Sequence, residues 1–275
     1  MSSANVLATR VHRSLVDMAK CVLSGEHREL MRLARMPRRT PFTTNLLGPA
    51  LRAVDGPSFV SSYNEIFKRG LYRFDARRLA PNIVDCGANV GLSVIYFKRL
   101  YPASRIIAFE ADDAVFRALT ENVRSFALPG VTLCNRAVWH EDADVTFFTE
   151  GADAGRILPE ANGARMCTVK AVRLRSYLVG DTVDLLKIDI EGAETDVLKD
   201  CADLLDNVDR LFVEYHSFEG RPQTLHELLA VLSRAGFRVH AEPIGISAQP
   251  FVTRQTYLGM DMQMNIFADR GPALP

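Results

Sequence analysis

In the stretch LLKIDIEGAE, Lys187, Asp189 and Glu191 stand at i, i+2 and i+4, and an extended strand would set all three on one face. Glu214 and His216 repeat that spacing in VEYHS. Ionisable groups in such apolar runs are costly to bury unless they are paired or do chemistry. Two chemistries suit them. An imidazole, with an unperturbed pKa of about 6.5, can take a proton from a bound hydroxyl near neutrality, and Glu214 or Asp189 would orient His216 for it. Alternatively, Asp189, Glu214 and His216 ligate a divalent cation that acidifies the hydroxyl, and oxygen ligands with one imidazole suit Mg²⁺ or Mn²⁺ better than a thiolate-seeking metal. Lys187 reads as the internal counter-charge, and Glu194 as an acid complementing the positive end of the next helix.

A second constellation lies earlier in the chain. IVDCGANVGLSV, residues 83–94, runs from an apolar strand-like stretch into a glycine turn. It continues into Val94, Ile95, Phe97 and Leu100 at helical spacing. Strand, tight turn and helix place backbone N–H groups at the strand's carboxyl end, where adenosine-type cofactors bind in open α/β sheets. The dinucleotide fingerprint G-x-G-x-x-G is not met: Gly87 and Gly91 are spaced G-x-x-x-G, and Asn89 stands between them where its side chain would crowd a pyrophosphate. A nicotinamide-dependent oxidoreductase is therefore the less favoured enzyme on this sheet. Asp85, just before the turn, suits a cofactor with a cationic or amine-bearing end. Glu110, 25 positions later at the close of the next strand, suits ribose hydroxyls. S-adenosylmethionine carries a ribose, a sulfonium and an ammonium. The cofactor-binding set expected on this basis is Asp85, Gly87, Gly91 and Glu110, with Ala111 beside it.

The elements that must position these groups follow from periodicity. From Asn82 onward, strand-like and helix-like runs alternate: NIVDC, RIIAFE, VTLCNRAV, VDLLKIDI, RLFVEYH and FRVHAEP read as strands. The helices between them impose parallel pairing through right-handed crossovers. MQMNIFADR follows without a helix, so it pairs antiparallel with residues 237–241. The fold class is α/β: a mostly parallel, Rossmann-type sheet of seven strands with one antiparallel C-terminal hairpin. Residues 145–174 form an excursion from it. Trp139, His140 and Asp142 lie where an adenine ring would bind, and the loops 151–164 and 217–223 would recognise the acceptor. Ahead of the sheet, Val11 to Met36 has helical apolar spacing and a basic face of Arg28, Arg32, Arg35, Arg38 and Arg39. Residues 1–60 are read as a helical N-terminal extension, residues 61–275 as the catalytic domain, and the aromatic segment 61–74 as a lid.

VDCGANVGLSVIYF, IIAFEAD, LLKIDIEGAETDVL and LFVEYH resemble, in that order, the signature segments of the FkbM-type family of S-adenosylmethionine-dependent methyltransferases. The resemblance runs from about Ser61 to the last strand. It implies the class I methyltransferase fold and methyl transfer to a hydroxyl of a sugar or secondary metabolite. It assigns Asp85, Gly87, Ala88, Asn89 and Gly91 to the cofactor turn and Glu110 to the ribose. Two departures stand out. The first 60 residues are not covered, and Arg175 stands where an acidic residue is expected before Tyr177 and Leu178.

Composition sets the outer bounds. The chain has 275 residues, 48% apolar and 24% charged, which favours neither disorder nor a membrane bundle. Lysine plus arginine and aspartate plus glutamate both number 33, so no overall field draws in nucleic acid or anionic membrane. A small-molecule acceptor is the expected partner, with surface contact through the basic helix as the only membrane role. No window approaches the roughly 18 apolar residues of a membrane span, and Arg10, His12, Arg13 and Asp17 interrupt any leader-like core. A cytoplasmic enzyme is expected. The five cysteines are scattered without paired spacing and read as small buried hydrophobes. A non-catalytic module on a degenerate methyltransferase fold would leave the acidic strand ends without a purpose.

Overall fold

The computed structural model describes residues 24–149, 165–245, 249–253 and 256–271. Residues 11–23 of the helix expected from Val11 lie outside these, and the acceptor loop expected at 151–164 lies outside them entirely.

The central strands are apolar on both faces, as parallel strands covered by helices on each side must be. β3 (Asn82–Cys86) and β9 (Leu185–Ile188) lie side by side at the middle of a seven-stranded sheet with the order β11-β12-β10-β9-β3-β4-β5. From β3 the chain steps outward through β4 (Arg105–Phe109) to β5 (Val131–Cys134). It returns to β9 and proceeds the other way through β10 (Arg210–Phe218). All these neighbours are parallel. The direction of strand order therefore reverses between β3 and β9, and it is outside the carboxyl ends of such a pair that open α/β sheets bind ligands. The last strand, β12 (Met260–Asp269), inserts between β10 and β11 (Arg238–Ile244) and runs antiparallel to both. The C-terminal hairpin is thus present, and its second strand also borders β10. This is the class I methyltransferase arrangement that the resemblance implies.

In chain order the helices are α1 (Gly25–Ala34), α2 (Gly56–Tyr63), α3 (Leu92–Leu100), α4 (Asp113–Ser125), α5 (Glu194–Asp200) and α6 (Leu225–Arg234). Asp112 caps α4, accepting from the N–H groups of Ala114 and Val115. Among the described residues, no helix is long and apolar enough to cross a membrane.

Three expectations change in detail. The run VTLCNRAV divides: β5 stays in the main sheet, while β6 (Ala137–Trp139) joins β7 (Ala143–Thr149) and β8 (Arg165–Arg173) in a separate three-stranded sheet. The extension is not wholly helical. It carries a short hairpin of β1 (Phe42–Thr44) and β2 (Leu51–Ala53), and Leu33, Leu51 and Ala53 share one core with Val94, Phe97 and Leu119. The segment 61–74 is part of the core, and the ring it brings to the sheet edge, Tyr72, is itself buried beside Lys187. Tyr63, Ile66 and Tyr72 are buried, and Phe59, Tyr63, Phe67 and Tyr96 form an aromatic ladder with successive ring centroids 6.2, 5.4 and 5.4 Å apart. Burying these rings removes their apolar surface from water.

Candidate active site

The glycine turn joins β3 to α3, with Gly87, Asn89 and Gly91 all in the left-handed region at φ 87°, 49° and 90°. Its glycines answer to the protein's own packing. A Cβ on Gly87 would lie 1.9 Å from the Asp189 carbonyl oxygen, and one on Gly91 would lie 2.7 Å from Leu119 Cδ1. The N–H groups are already taken. Gly87 and Ala88 both donate to the Phe109 carbonyl, at 3.1 and 2.8 Å, and Gly91 donates to Ala88 at 2.9 Å. Asn89 donates to Glu110 Oε2 at 3.0 Å, and Val90 to Asn89 Oδ1 at 2.7 Å. Five consecutive donors are thus engaged, and none of them faces outward to a phosphate.

Glu110, at the end of β4, binds the turn through one oxygen and accepts from the Asp112 N–H at 2.8 Å through the other. It remains partly exposed. Each carboxylate oxygen has two acceptor sites, so both can take a further donor. Burial pushes this carboxyl up to about 7 against the pull of those two N–H groups and of Lys187. Ala111 follows it directly, beside Asn135, whose Nδ2 donates to the Glu110 carbonyl at 3.0 Å.

Beneath the turn sits Lys187, 2% exposed, on the register of Asp85 across the β3–β9 pair. Its Nζ donates to the Gly87 carbonyl at 2.9 Å and lies 3.2 Å from Asp85 Oδ1 and 3.4 Å from Asp189 Oδ2. Asp85 Oδ1 has no well-aligned hydrogen bond, so the ammonium meets it as a charge more than as a donor. The other oxygen accepts from Ser93 Oγ at 2.5 Å. Burial would lower the Lys187 pKa, but Asp85 and Asp189 hold it well above the usual lysine value. Lys187 is therefore the internal counter-charge that its place in the sequence suggests. Asp85 departs from expectation: it is wholly buried, and its cation is Lys187 rather than the amine end of a ligand.

The acidic rim forms where β9 ends and β10 runs alongside it. Strand geometry stops at Ile188, so Glu191 is not on the extended face that its spacing suggests; it sits in a turn at φ 56°. Its carboxylate still reaches His216, with Oε2 3.6 Å from Nε2. His216, whose side chain is fully buried, has Nδ1 2.9 Å from Glu194 Oε1. Its Nε2 lies 3.5 Å from Glu214 Oε1 and 3.3 Å from Gln263 Nε2. The Gln263 amide also donates to Glu214 Oε1. One atom each from Asp189, Glu214 and His216 come within 4.8 Å of one another.

Electrostatics follow from that crowding. Burial would lower the His216 pKa, yet Glu191 and Glu194 hold it well above the ordinary imidazole value. Burial pushes Glu191 up to about 8, and burial together with the Glu214 charge pushes Asp189 up to about 7. Glu214 goes the other way: the His216 hydrogen bond and charge overcome its burial and set it below the usual glutamate value. Carboxylates that raise its pKa make His216 poorly suited to the general-base role expected of it.

Sequence reasoning missed three members of this site. Glu194 was legible only as a helix-terminal acid, whereas it binds the imidazole. Gln263 arrives through the β10–β12 register, opposite His216. Tyr72 comes from the aromatic segment, its ring centroid 5.7 Å from Lys187 Nζ. Elsewhere, the Trp139 and His140 rings lie 4.5 Å apart and tilted by 41°, while Asp142 accepts from the Arg173 N–H within the small sheet. Arg175 pairs with Asp203 and the Asp200 carbonyl, which gives the expected acidic position a cationic, structural role. In the loop after β10, the Glu219 N–H donates to the Gly259 carbonyl.

Comparisons with known proteins agree on a family. Residues 85–239 match the methyltransferase FkbM domain. Methyltransferase 1 of Beauveria bassiana is 31% identical over 185 residues, covering 58% of this chain and 73% of that protein. Methyltransferase sdnD of Sordaria araneosa is 31% identical over 172 residues, covering 50% of this chain and 66% of its own length. Among solved structures, methyltransferase FkbM from Methylobacillus flagellatus KT is 15% identical over 91% of this chain and 60% of that one, with a TM-score of 0.45. With more than half its length in the matched domain, this chain belongs to the FkbM family of methyltransferases.

Proposed function

We propose that this methyltransferase uses S-adenosylmethionine and methylates a hydroxyl of a small polar molecule, a sugar or a secondary-metabolite intermediate. The observation that carries the cofactor reading is the turn itself. Its five N–H groups from Gly87 to Gly91 are engaged by protein oxygens, and the ionisable groups around it are mostly carboxylates. Such a pocket is poorly made for a pyrophosphate and well made for a nucleoside with a cationic end, which speaks against a nicotinamide cofactor. The donor supplies an electrophilic methyl group on a sulfonium.

The chain's own residues then divide the work. Glu110 retains acceptor capacity for the ribose hydroxyls while it closes the turn through the Asn89 N–H. Asn89, Ala88 and Ala111 border the nucleoside. Lys187 keeps the Gly87 carbonyl and Asp85 in place beneath it, so that Asp85 supports the cofactor from below. The acidic rim receives the acceptor hydroxyl beside the methyl group.

His216 acts within the rim through its position rather than as a free base. Two carboxylates and one imidazole fit a hard divalent cation such as Mg²⁺ or Mn²⁺, and Asp189, Glu214 and His216 are the residues that would hold it. Bound there, the ion would lower the pKa of the acceptor hydroxyl. The partners remain small molecules on this reading.

Calorimetry with S-adenosylmethionine and with NAD tests the cofactor, and tight NAD binding without S-adenosylmethionine binding would reverse the assignment. Isotope-labelled methyl donor, incubated with hydroxylated metabolites before and after exhaustive chelation, tests the rest. Label is expected on oxygen and is expected to fall on chelation. Full turnover in chelator would remove the cation.

A further inference from the structure

We infer that Glu194 is the positioning residue of the rim: it turns His216 so that Nε2 faces Asp189 and Glu214, and it fixes the loop that carries Asp189. This inference rests on the cation reading above and adds to it the residue on which the site's geometry depends.

A glutamate at the first position of a helix ordinarily sits in solvent and adds a few tenths of a kcal/mol through the helix dipole. Glu194 is 1% exposed, and three nitrogens converge on its Oε1. Two belong to the backbone before the helix, the N–H groups of Gly192 at 2.9 Å and Ile190 at 3.4 Å. The third is His216 Nδ1 at 2.9 Å, contributed by β10. One carboxylate oxygen therefore ties the β9–α5 loop to the neighbouring strand. Glu191 within that loop is a non-glycine residue at φ 56°, and Gly192 follows at φ 102°. Backbone in this region persists only where its surroundings hold it, and the two N–H bonds to Glu194 do so.

The consequence for the imidazole is directional. A ligating histidine characteristically donates its other ring N–H to a carboxylate, which sets ring orientation and tautomer and raises the basicity of the ligating nitrogen. Glu194 and Nδ1 form that pair. The opposite nitrogen faces the Glu214 and Glu191 carboxylates at 3.5 and 3.6 Å, with Gln263 bordering the same edge. The local charge count points the same way. Asp85, Asp189, Glu191, Glu194 and Glu214 make five carboxylates, whereas Lys187 and His216 are the two cations among them. Lys187 already serves Asp85 and Asp189. Asp85 and Glu194 are buried and the other three are partly exposed, and such an excess of carboxylates over cations favours a further positive charge. A divalent ion at Nε2 would supply it while displacing the second imidazole proton.

The test uses the full chain with Mn²⁺ as the probe. Binding is measured by calorimetry, and the nitrogen coupling of a directly bound imidazole is read by pulsed electron paramagnetic resonance. Wild type, Glu194→Ala, Glu194→Gln and the ligand-loss control Asp189→Asn are compared, with thermal melting and S-adenosylmethionine calorimetry on each. Wild type is expected to bind Mn²⁺ with one imidazole coupling. Glu194→Ala should weaken Mn²⁺ binding about 10- to 100-fold and abolish the coupling, with donor affinity within about threefold of wild type. Glu194→Gln keeps an oxygen acceptor and should recover part of both signals, which preserves the test if the alanine variant does not fold. Wild-type Mn²⁺ affinity and coupling in both folded variants would overturn the inference alone. Absence of Mn²⁺ binding in wild type would overturn it together with the cation site. Loss of donor binding in wild type would instead sink the cofactor reading.

Discussion

Replacing Lys187 with methionine isolates the charge at the centre of the fold while keeping most of the side chain's length. In the wild type that ammonium meets Asp85 and Asp189 and holds the Gly87 carbonyl, with Lys187 2% and Asp85 0% exposed. After substitution Asp85 keeps only the Ser93 hydroxyl as a hydrogen-bond partner among the described residues, inside a core too dry to solvate a carboxylate. Removing one partner of a buried ion pair costs roughly 3–5 kcal/mol, which for a chain of this size lowers Tm by roughly 6–10 °C. Neutralising the other partner should undo part of the damage, because Asp85→Asn retains the bond to Ser93 without stranding a charge. The double variant Lys187→Met/Asp85→Asn is therefore expected to be more stable than the sum of the two single losses predicts, by about 1–3 kcal/mol of coupling. Thermal melting and urea titration of the four proteins provide the cycle. A Lys187→Met cost below about 1 kcal/mol, or strict additivity in the double variant, would refute the view that this pair is charged and mutually dependent.

Two further substitutions probe the turn. Gly87→Ala sets a methyl group 1.9 Å from the Asp189 carbonyl and demands φ 87° of an L side chain, so a loss of roughly 3 kcal/mol or more is expected in urea titration; stability close to wild type would mean that the turn packs otherwise. Glu110→Gln should weaken S-adenosylmethionine binding about tenfold or more by calorimetry, since hydrogen bonds to a charged acceptor are worth roughly 1.5–3 kcal/mol. The same residue sets a pH dependence. With its carboxyl raised from 4.5 to about 7, the folded chain holds this proton more tightly than the unfolded chain, so the Glu110 contribution to stability is present at low pH and is lost as pH rises through about 7. Ribose hydroxyls donate to the ionised form, so donor affinity should rise over that interval, with Asp112 and Lys187 as the charged groups facing it. A flat affinity profile in wild type, or the same rise in Glu110→Gln, would count against the role.

The legible part of the molecule was what short-range periodicity encodes. Alternation of apolar runs gave the order of strands and helices, and Gly87, Gly91, Asp85 and Glu110 marked the first crossover at the sheet's switch point. What stayed hidden depends on lateral neighbours. Asp85 looks open to a ligand until β9 is laid beside β3 and Lys187 falls opposite it. Glu194 looks like a helix-terminal acid until β10 brings His216 to its oxygen, and Gln263 has no visible role until β12 is registered against β10. Strands of three residues cannot display an alternation, which is why the β1–β2 hairpin passed for part of a helical extension. The division of VTLCNRAV at Asn135 and Arg136 has the same origin: a change of sheet partner leaves the strand-like composition unaltered.

The matched domain begins at Asp85, but the folding unit does not. Asn122 on α4 accepts from the Arg52 N–H and donates to the Arg52 carbonyl, and the same amide donates to the Val90 carbonyl in the glycine turn. A single asparagine thus joins the β1–β2 hairpin to the glycine turn. A version trimmed to the recognisable methyltransferase region would expose the underside of α3 and α4 and leave that amide idle. Chimeras made by exchanging catalytic regions between relatives should therefore carry their own leader along with them.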